Sequence, residues 1–382
     1  MSAETNENTQ NTEKKRVQFI DMVKGITILC VALYHIIAPG MFRTFFAGII
    51  GSLFFCFFFF SGYFYKSGQK TLAENILSRA KSLLVPFFSY SYTFWFIGSI
   101  VLIVQGAETI VDALCCLRNF YVGSIWNRTI QELFGWEYHS LGKNYPFLAD
   151  FWFLPALFLA SIVFIVIVEK ISKTAISQLT AMAVLLFISG VLSFLSIDLP
   201  YNLQLTPFWA ALVLLGYTCK QLMVFDRLKG MAAWVSGVVA AVLSIAVIVS
   251  LGYGTNLFRG TFEEPVVPVM IFLYINGFIS IWGVSMVARQ IEDIGVNVSK
   301  LAFLGSHSIY LYMYHVFIAW LICRFTGFSM RYDPETVTVL TFEKSILLAL
   351  VSIIISILIS VLAADKGKDI KVKRIFMADW GA

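Results

Sequence analysis

The sequence contains little charge. Only 13% of its 382 residues are Asp, Glu, Lys or Arg, whereas 59% are hydrophobic and the mean hydropathy is +0.80. A typical soluble domain carries about 25% charged residues, so this composition excludes an ordinary soluble protein and indicates a polytopic, all-α membrane protein. The net charge of +5 requires no nucleic-acid partner, because lysines and arginines in loops and tails orient membrane proteins.

Disulfide and metal-ligand patterns are also missing. The six cysteines form no framework: four lie in or beside apolar runs, and Cys115 and Cys116 are adjacent, which is poor geometry for bridging each other. Neither a C-x-x-C nor an H-E-x-x-H pattern occurs, so the sequence predicts no metal site.

Ten apolar segments, each long enough to span a bilayer, follow a polar N-terminal stretch. They cover approximately residues 20–39, 45–65, 84–104, 149–168, 175–197, 205–222, 231–252, 265–288, 301–324 and 343–363. We therefore expect a disordered cytoplasmic tail over 1–18, a ten-helix membrane domain over 19–364 and a basic cytoplasmic tail over 365–382.

The distribution of basic residues predicts the orientation. If the N-terminus is cytoplasmic, twenty of the 28 lysines and arginines fall on the inner side, which favours both termini in the cytoplasm. The long external segment, about 105–148, is rich in aromatic, amide and carboxylate side chains. These could stack on and hydrogen-bond a sugar, although an interfacial aromatic belt would have a similar composition.

Three ionisable residues, Asp21, Lys24 and His35, lie within the first apolar segment. At about 100° per residue, the eleven steps from Lys24 to His35 return the two side chains to within about 20° of each other, and Asp21 lies on a neighbouring ridge. The axial rise is about 16 Å, a little over half of a bilayer core of about 30 Å. Groups at such depth usually mark a pathway or a reaction site, whereas the alternative is two interfacial charges and a hydrogen-bonded core histidine.

Five motifs, in order along the chain, resemble those of the membrane acyltransferase family 3, and most closely its branch of fucose 4-O-acetylase and related acetyltransferases. The first combines a basic residue, ten others and a histidine with an aspartate three residues before the basic one. The motifs are Phe19-Ile20-Asp21-Met22-Val23-Lys24-Gly25-Ile26 with Leu33-Tyr34-His35, Phe57-Phe58-Phe59-Phe60-Ser61-Gly62-Tyr63-Phe64, Arg79-Ala80-Lys81-Ser82-Leu83-Leu84-Val85-Pro86, Phe151-Trp152-Phe153-Leu154-Pro155-Ala156-Leu157 and Ser308-Ile309-Tyr310-Leu311-Tyr312-Met313-Tyr314-His315. Lys24 and Lys81 stand where the family more often has arginine.

The resemblance implies an enzyme of a bacterial plasma membrane. It would transfer an acyl group, usually acetyl, from cytoplasmic acyl-CoA to a hydroxyl of a cell-envelope carbohydrate or glycolipid. Acetyl-CoA would be a co-substrate rather than a permanently bound cofactor. The expected partners are acyl-CoA, the carbohydrate or glycolipid acceptor and membrane lipid, with no nucleic acid, and a homo-oligomer stays open.

Most residue roles follow from the matched motifs, whereas Tyr145 and Asp150 are candidates from the external segment and from the entry to the fourth apolar segment. The catalytic residues would be His35 and Asp21, with His35 acting either as general base or as covalent acyl carrier. Asp21 would pair with Lys24 or Arg79 and so shape the donor entrance. The other expected site residues are Lys24, Arg79, Lys81 and Ser61 for the acyl donor, and Asp150, Trp152, Tyr145 and His315 for the acceptor.

Structural interpretations of some of these residues stay open. His315 could orient the acceptor, share a proton relay or form a structural hydrogen bond. Ser61 could belong to a helix-packing notch, and His307 is expected to be structural. The rival function is a transporter or flippase of a lipid-linked sugar, which would also use buried charges and an aromatic outer loop.

Overall fold

The computed structural model describes residues 18–37, 46, 48–51, 53–122, 144–171, 174–195, 199–251, 266–327 and 341–366. Every regular element in these residues is helical, which confirms the predicted all-α class. The predicted N-terminal tail up to residue 17, residues 123–143 of the external segment and the tail from residue 367 lie outside the described residues.

We number the described α-helices in chain order. They are α1 (Gln18–Ile36), α2 (Cys56–Tyr63), α3 (Leu72–Arg79), α4 (Val85–Val104), α5 (Ile110–Tyr121), α6 (Pro146–Ala149), α7 (Phe153–Val166), α8 (Ala175–Phe194), α9 (Thr206–Gln221), α10 (Gly230–Leu251), α11 (Val266–Asp293), α12 (Ser299–Ser306), α13 (Ser308–Thr326) and α14 (Phe342–Lys366).

Eight helical segments in the described part of the chain are long and apolar enough to cross a membrane, which confirms a polytopic membrane protein. They are α1, the continuous stretches Leu72–Val104 and Pro146–Ile171, α8, α10, α11, α13 and α14. The other two predicted segments, 45–65 and 205–222, coincide with shorter helices, Gly48–Tyr63 and α9.

Hydrogen-bonded caps fix where several helices begin. Thr71, Thr109 and Thr174 each accept a hydrogen bond from the backbone N–H three residues later, and the side chain of that later residue bonds back to the threonine N–H. This reciprocal arrangement satisfies two backbone donors that a helix start would otherwise leave without partners. The cap at Thr109 begins α5, a helix within the segment that the sequence predicts as an external loop.

Helix α1 occupies the centre of the bundle and contacts α2, α11, α12, α13 and α14. It is apolar on most of its circumference, and even Asp21 and Thr27 are buried. A helix that is apolar all round belongs in the interior, so its ionisable side chains face other helices rather than lipid.

Glycines bring α1 and α12 into close contact. A Cβ atom built on Gly305 would overlap the backbone carbonyl of Asp21, and one built on Gly25 would overlap the carbonyl of Leu301. His35 and His315 follow Gly25 and Gly305 by ten residues each, and their ring centroids lie 5.5 Å apart. The contacts Gly25–Gly305 and His35–His315 both join residues that are 280 positions apart, so α1 and the α12–α13 pair run parallel and in register.

The predicted span 301–324 is broken into α12 and α13 at His307, whose backbone (φ −114°, ψ 21°) leaves the helical region. Its ring Nδ1 lies 2.8 Å from Ser306 Oγ and 3.0 Å from the Phe303 carbonyl oxygen, and the ring stacks on Phe303. The sequence prediction of one continuous helix was therefore wrong at this residue. The break places the N-terminus of α13 inside the bundle.

Candidate active site

The C-terminal end of α1 meets a single 3₁₀ turn, Asp150–Trp152, that joins α6 to α7. In this turn Asp150 Oδ1 lies 3.6 Å from His35 Nδ1. The two side chains are 23% and 13% exposed. A carboxylate at this distance orients the imidazole ring, as the acidic member of a catalytic triad does.

The imidazole of His315, on α13, packs beside His35 with a ring-centroid distance of 5.5 Å. His315 Nδ1 lies 2.8 Å from the Leu311 carbonyl oxygen. Because a carbonyl only accepts, Nδ1 carries the hydrogen, and Nε2 of the neutral ring has a lone pair. The His315 side chain is fully buried, and its Nε2 has no hydrogen-bond partner within the described residues.

Tyr312 connects this histidine helix to the Asp150 turn. Its hydroxyl donates a hydrogen bond to the backbone carbonyl of Asp150, and its ring lies 5.6 Å from that of Phe153. Tyr312 was not among the predicted site residues. Its position three residues before His315, on the same helix face, is the sequence signal that could have identified it.

In the N-terminal part of α1, Lys24 Nζ lies 3.0 Å from Asp21 Oδ1 and 5.6 Å from the centre of the Phe64 ring. Asp21 is 3% exposed. Fourteen residues separate it from His35, about 21 Å along the helix. Asp21 therefore lies beside Lys24, and the carboxylate beside His35 is that of Asp150.

A second cation lies near the end of α2. Arg79 is half-buried, and its Nη2 donates a 3.3 Å hydrogen bond to the Ser61 carbonyl. Within the described residues Arg79 has no carboxylate in ion-pair contact, and the buried Ser61 Oγ has no hydrogen-bond partner. Lys81, in the π-helical turn Ala80–Leu84 that follows, is exposed.

An apolar cavity lies between these two ends of α1. Its volume is about 20 Å³, which is enough for about one water molecule. Ile28, one turn beyond Lys24 and seven residues before His35, lines it opposite the first residues of α13. Its lining residues are Ile28, Phe54, Phe57, Phe153, Leu154, Ser308, Ile309 and Tyr312.

The remaining predicted acceptor residues lie apart from each other. Trp152 is half-buried in the Asp150 turn, with its ring 5.6 Å from that of Phe54. Tyr145 is buried, donates a hydrogen bond to Glu108 and lies 2.8 Å from Ser99 Oγ. Burial raises the pKa of Tyr145, and the hydrogen bond to Glu108 raises it further. The structure thus brings together His35, Asp150, His315 and the Trp152 turn, and it places Tyr145 in a separate polar cluster.

The family described as "Acyltransferase domain" matches residues 17–365, which include every residue of the arrangement above. No curated protein and no solved structure shows a significant match to the chain.

Proposed function

Because the chain belongs to the acyltransferase domain family, we propose that it transfers an acyl group, in the first place acetyl, from cytoplasmic acyl-CoA to a hydroxyl of a cell-envelope carbohydrate or glycolipid. The observation that carries this proposal is that two cations, Lys24 and Arg79, lie at the C-terminal end of α2, whereas a carboxylate-oriented histidine, His35, lies at the opposite end of α1 from Lys24. A bacterial plasma membrane, with both termini in the cytoplasm, is part of the same proposal.

The C-terminal end of α2, which Arg79 and Lys24 both contact, suits the phosphates of coenzyme A. Arg79 uses one N–H on the Ser61 carbonyl, and a guanidinium has further donors in a fork that matches phosphate oxygens. A half-buried arginine without a carboxylate in ion-pair contact favours an anionic ligand. Lys24 adds a compact charge close by, on the Phe64 side of the same α2 terminus.

The distance along α1 suits the rest of the donor. From Lys24 to His35 the helix rises about 16 Å, and the cavity at Ile28 lies between the two. The pantetheine arm of coenzyme A is long and uncharged, so it would tolerate apolar walls and would carry the thioester towards His35.

The outer end provides the chemistry. His35 acts either as the base that removes the proton of an acceptor hydroxyl or as the carrier of the acyl group, and by both routes the hydroxyl oxygen becomes bonded to the acyl carbon. The carbon–sulfur bond breaks, and the CoA thiolate leaves and takes up a proton. Asp150 stabilises the imidazolium that forms, and a general base of this kind contributes about 10²–10⁴-fold.

Binding and transfer by the purified full-length protein in lipid nanodiscs test the proposal. We expect acetyl-CoA to bind, and we expect Lys24→Ala and Arg79→Ala each to weaken binding at least about 10-fold, since a hydrogen bond to a charged group contributes about 1.5–3 kcal/mol. Lys300→Ala removes an exposed lysine at the start of α12 and serves as the matched control.

Two outcomes would contradict the proposal. One is unchanged acetyl-CoA affinity in both Lys24→Ala and Arg79→Ala. The other is movement of a lipid-linked sugar across the bilayer with no acetyl transfer, which is the result expected of a flippase.

A further inference from the structure

We infer that transfer proceeds in two steps through an acyl-enzyme, in which His35 carries the acyl group on Nε2 and His315 Nε2 is the base for the acceptor hydroxyl. This inference rests on the proposed function and deepens it. Direct transfer would need only a single histidine, acting as base. Two imidazoles lie side by side here, with ring centroids 5.5 Å apart.

The proton positions of the two rings can be assigned from their neighbours. His35 presents Nδ1 to the Asp150 carboxylate at 3.6 Å, and because a carboxylate only accepts, this contact favours the neutral tautomer with its hydrogen on Nδ1 and its lone pair on Nε2. His315 presents Nδ1 to the Leu311 carbonyl, which leaves its lone pair on Nε2 as well. Each ring is therefore held as a nucleophile or base at Nε2.

The unsatisfied nitrogen of His315 requires a reason. A fully buried acceptor without a hydrogen bond destabilises the fold, and such groups in native structures mark strain, a catalytic role or a bound ligand. His315 Nε2 is of this kind within the described residues, and the residue is located beside the reacting histidine. A hydroxyl of the acceptor would be the hydrogen-bond donor that it lacks.

The surroundings of the two rings assign their roles. Acylation of a neutral imidazole at Nε2 gives a cation, which a carboxylate stabilises, and the carboxylate of Asp150 is paired with His35. His315 Nδ1 has a neutral backbone carbonyl as its partner. His35 is also the more accessible of the two, at 23% exposed against 0%, so the thioester can reach it.

The reaction proceeds in two steps. His35 Nε2 attacks the thioester carbonyl carbon, the carbon–nitrogen bond forms, the carbon–sulfur bond breaks, and the CoA thiolate leaves and is protonated by water on the donor side. His315 Nε2 then removes the proton of the acceptor hydroxyl while the oxygen attacks the acyl carbon. The carbon–oxygen bond forms, the carbon–nitrogen bond breaks with its electron pair returning to His35, and His315 releases its proton to water.

Such a division suits a site reached from two sides of a membrane. Coenzyme A can withdraw before the acceptor arrives, so the two large substrates need not reach the histidines at the same time. With a single direct step, both would have to fit there at the same time.

The experiment uses acetyl-CoA, labelled coenzyme A and the full-length protein in nanodiscs, and it requires no knowledge of the acceptor. The first measurement is the incorporation of label into acetyl-CoA, which requires only that the enzyme be acylated reversibly. The second is hydrolysis of acetyl-CoA, in which water replaces the acceptor. We expect wild type to show both, His35→Asn to lose exchange, and His315→Asn to keep exchange within about threefold while hydrolysis falls about 100-fold or more.

His307→Asn is the matched control, because it changes a histidine at the break between α12 and α13 that contacts Ser306 and Phe303. Its ratio of exchange to hydrolysis should equal that of wild type. Acetyl-CoA affinity and Tm are measured for each variant, and His315→Gln replaces His315→Asn if the latter does not fold.

The remaining results would overturn a stated part of the inference. If wild type binds acetyl-CoA through Lys24 and Arg79 but shows no exchange, the acyl-enzyme is wrong and the proposed acyltransferase function stands. If folded His315→Asn hydrolyses acetyl-CoA at the wild-type rate, the role of His315 is wrong. If wild type does not bind acetyl-CoA at all, the proposed function itself fails.

Discussion

Replacing Gly305 by alanine would force apart the two helices that carry the histidine pair. The added Cβ would overlap the backbone carbonyl of Asp21 on α1, and a backbone atom in a packed helix cannot rotate away as a side chain can. The helices must therefore separate by more than an ångström at this level. Because α1 and α12–α13 run parallel, the displacement is transmitted towards His35 and His315.

The expected magnitude has two parts. Overpacking of a well-packed interior costs about 1–3 kcal/mol, which would lower Tm without preventing folding. A misplacement of about 1 Å at reacting groups can cost about 100-fold in rate, so activity should fall much further than stability. We expect Gly305→Ala to bind acetyl-CoA and to transfer its acyl group about 100-fold more slowly.

The matched control is Gly190→Ala on α8. There the added Cβ would lie 3.2 Å from the terminal methyl group of Met270, which is the flexible end of a side chain and can move by a few tenths of an ångström. Thermal unfolding and acetyl transfer are measured for both variants in the same nanodiscs. Near-native transfer by Gly305→Ala would refute the close helix contact as the element that sets the histidine geometry.

Three further predictions follow from other contacts. Asp150→Asn should slow acetyl transfer about 100-fold or more with little change in acetyl-CoA affinity, because the amide cannot stabilise an imidazolium; equal rates would exclude this carboxylate from the chemistry. Lys24→Arg should keep most of the acetyl-CoA affinity that Lys24→Ala loses, as measured by calorimetry, and equal losses would show that charge at this position is not what the donor contacts. Burial raises the pKa of Glu108, and an acid whose pKa is higher in the folded chain contributes stability that is lost as pH rises through that folded value. Glu108→Gln should therefore reduce the decline of Tm as the pH rises above the ordinary carboxyl range, and an unchanged Tm profile would contradict the assignment.

Local geometry allowed part of the site to be predicted from the sequence. Helical periodicity alone placed Lys24 and His35 on one face, and the three-residue spacing of Asp21 and Lys24 is that of the ion pair observed between them. Apolar segment lengths gave the polytopic all-α class. These features depend on residues within one or a few helical turns, which is the range over which sequence spacing fixes structure.

Contacts between segments that are distant in the sequence could not be predicted from residue spacing. Asp150 meets His35 because a 3₁₀ turn between α6 and α7 lies against the C-terminal end of α1, and no spacing rule connects residues in two separate segments. The break at His307 was likewise hidden in an apolar run without proline. The start of helix α5, by contrast, could have been predicted, because Thr109 and Asp112 have the spacing of a reciprocal cap.

The parallel pairing of α1 with α13 has a consequence for biosynthesis. His35 is made 280 residues before His315, and at about 5–20 residues per second translation of that interval takes roughly 15–55 s. During this time α1 is already synthesised while the helix that will cover its ionisable face does not yet exist. Any chain that terminates before α13 will lack the histidine pair, so a prematurely released fragment can reach the membrane without acquiring acyl-transfer activity.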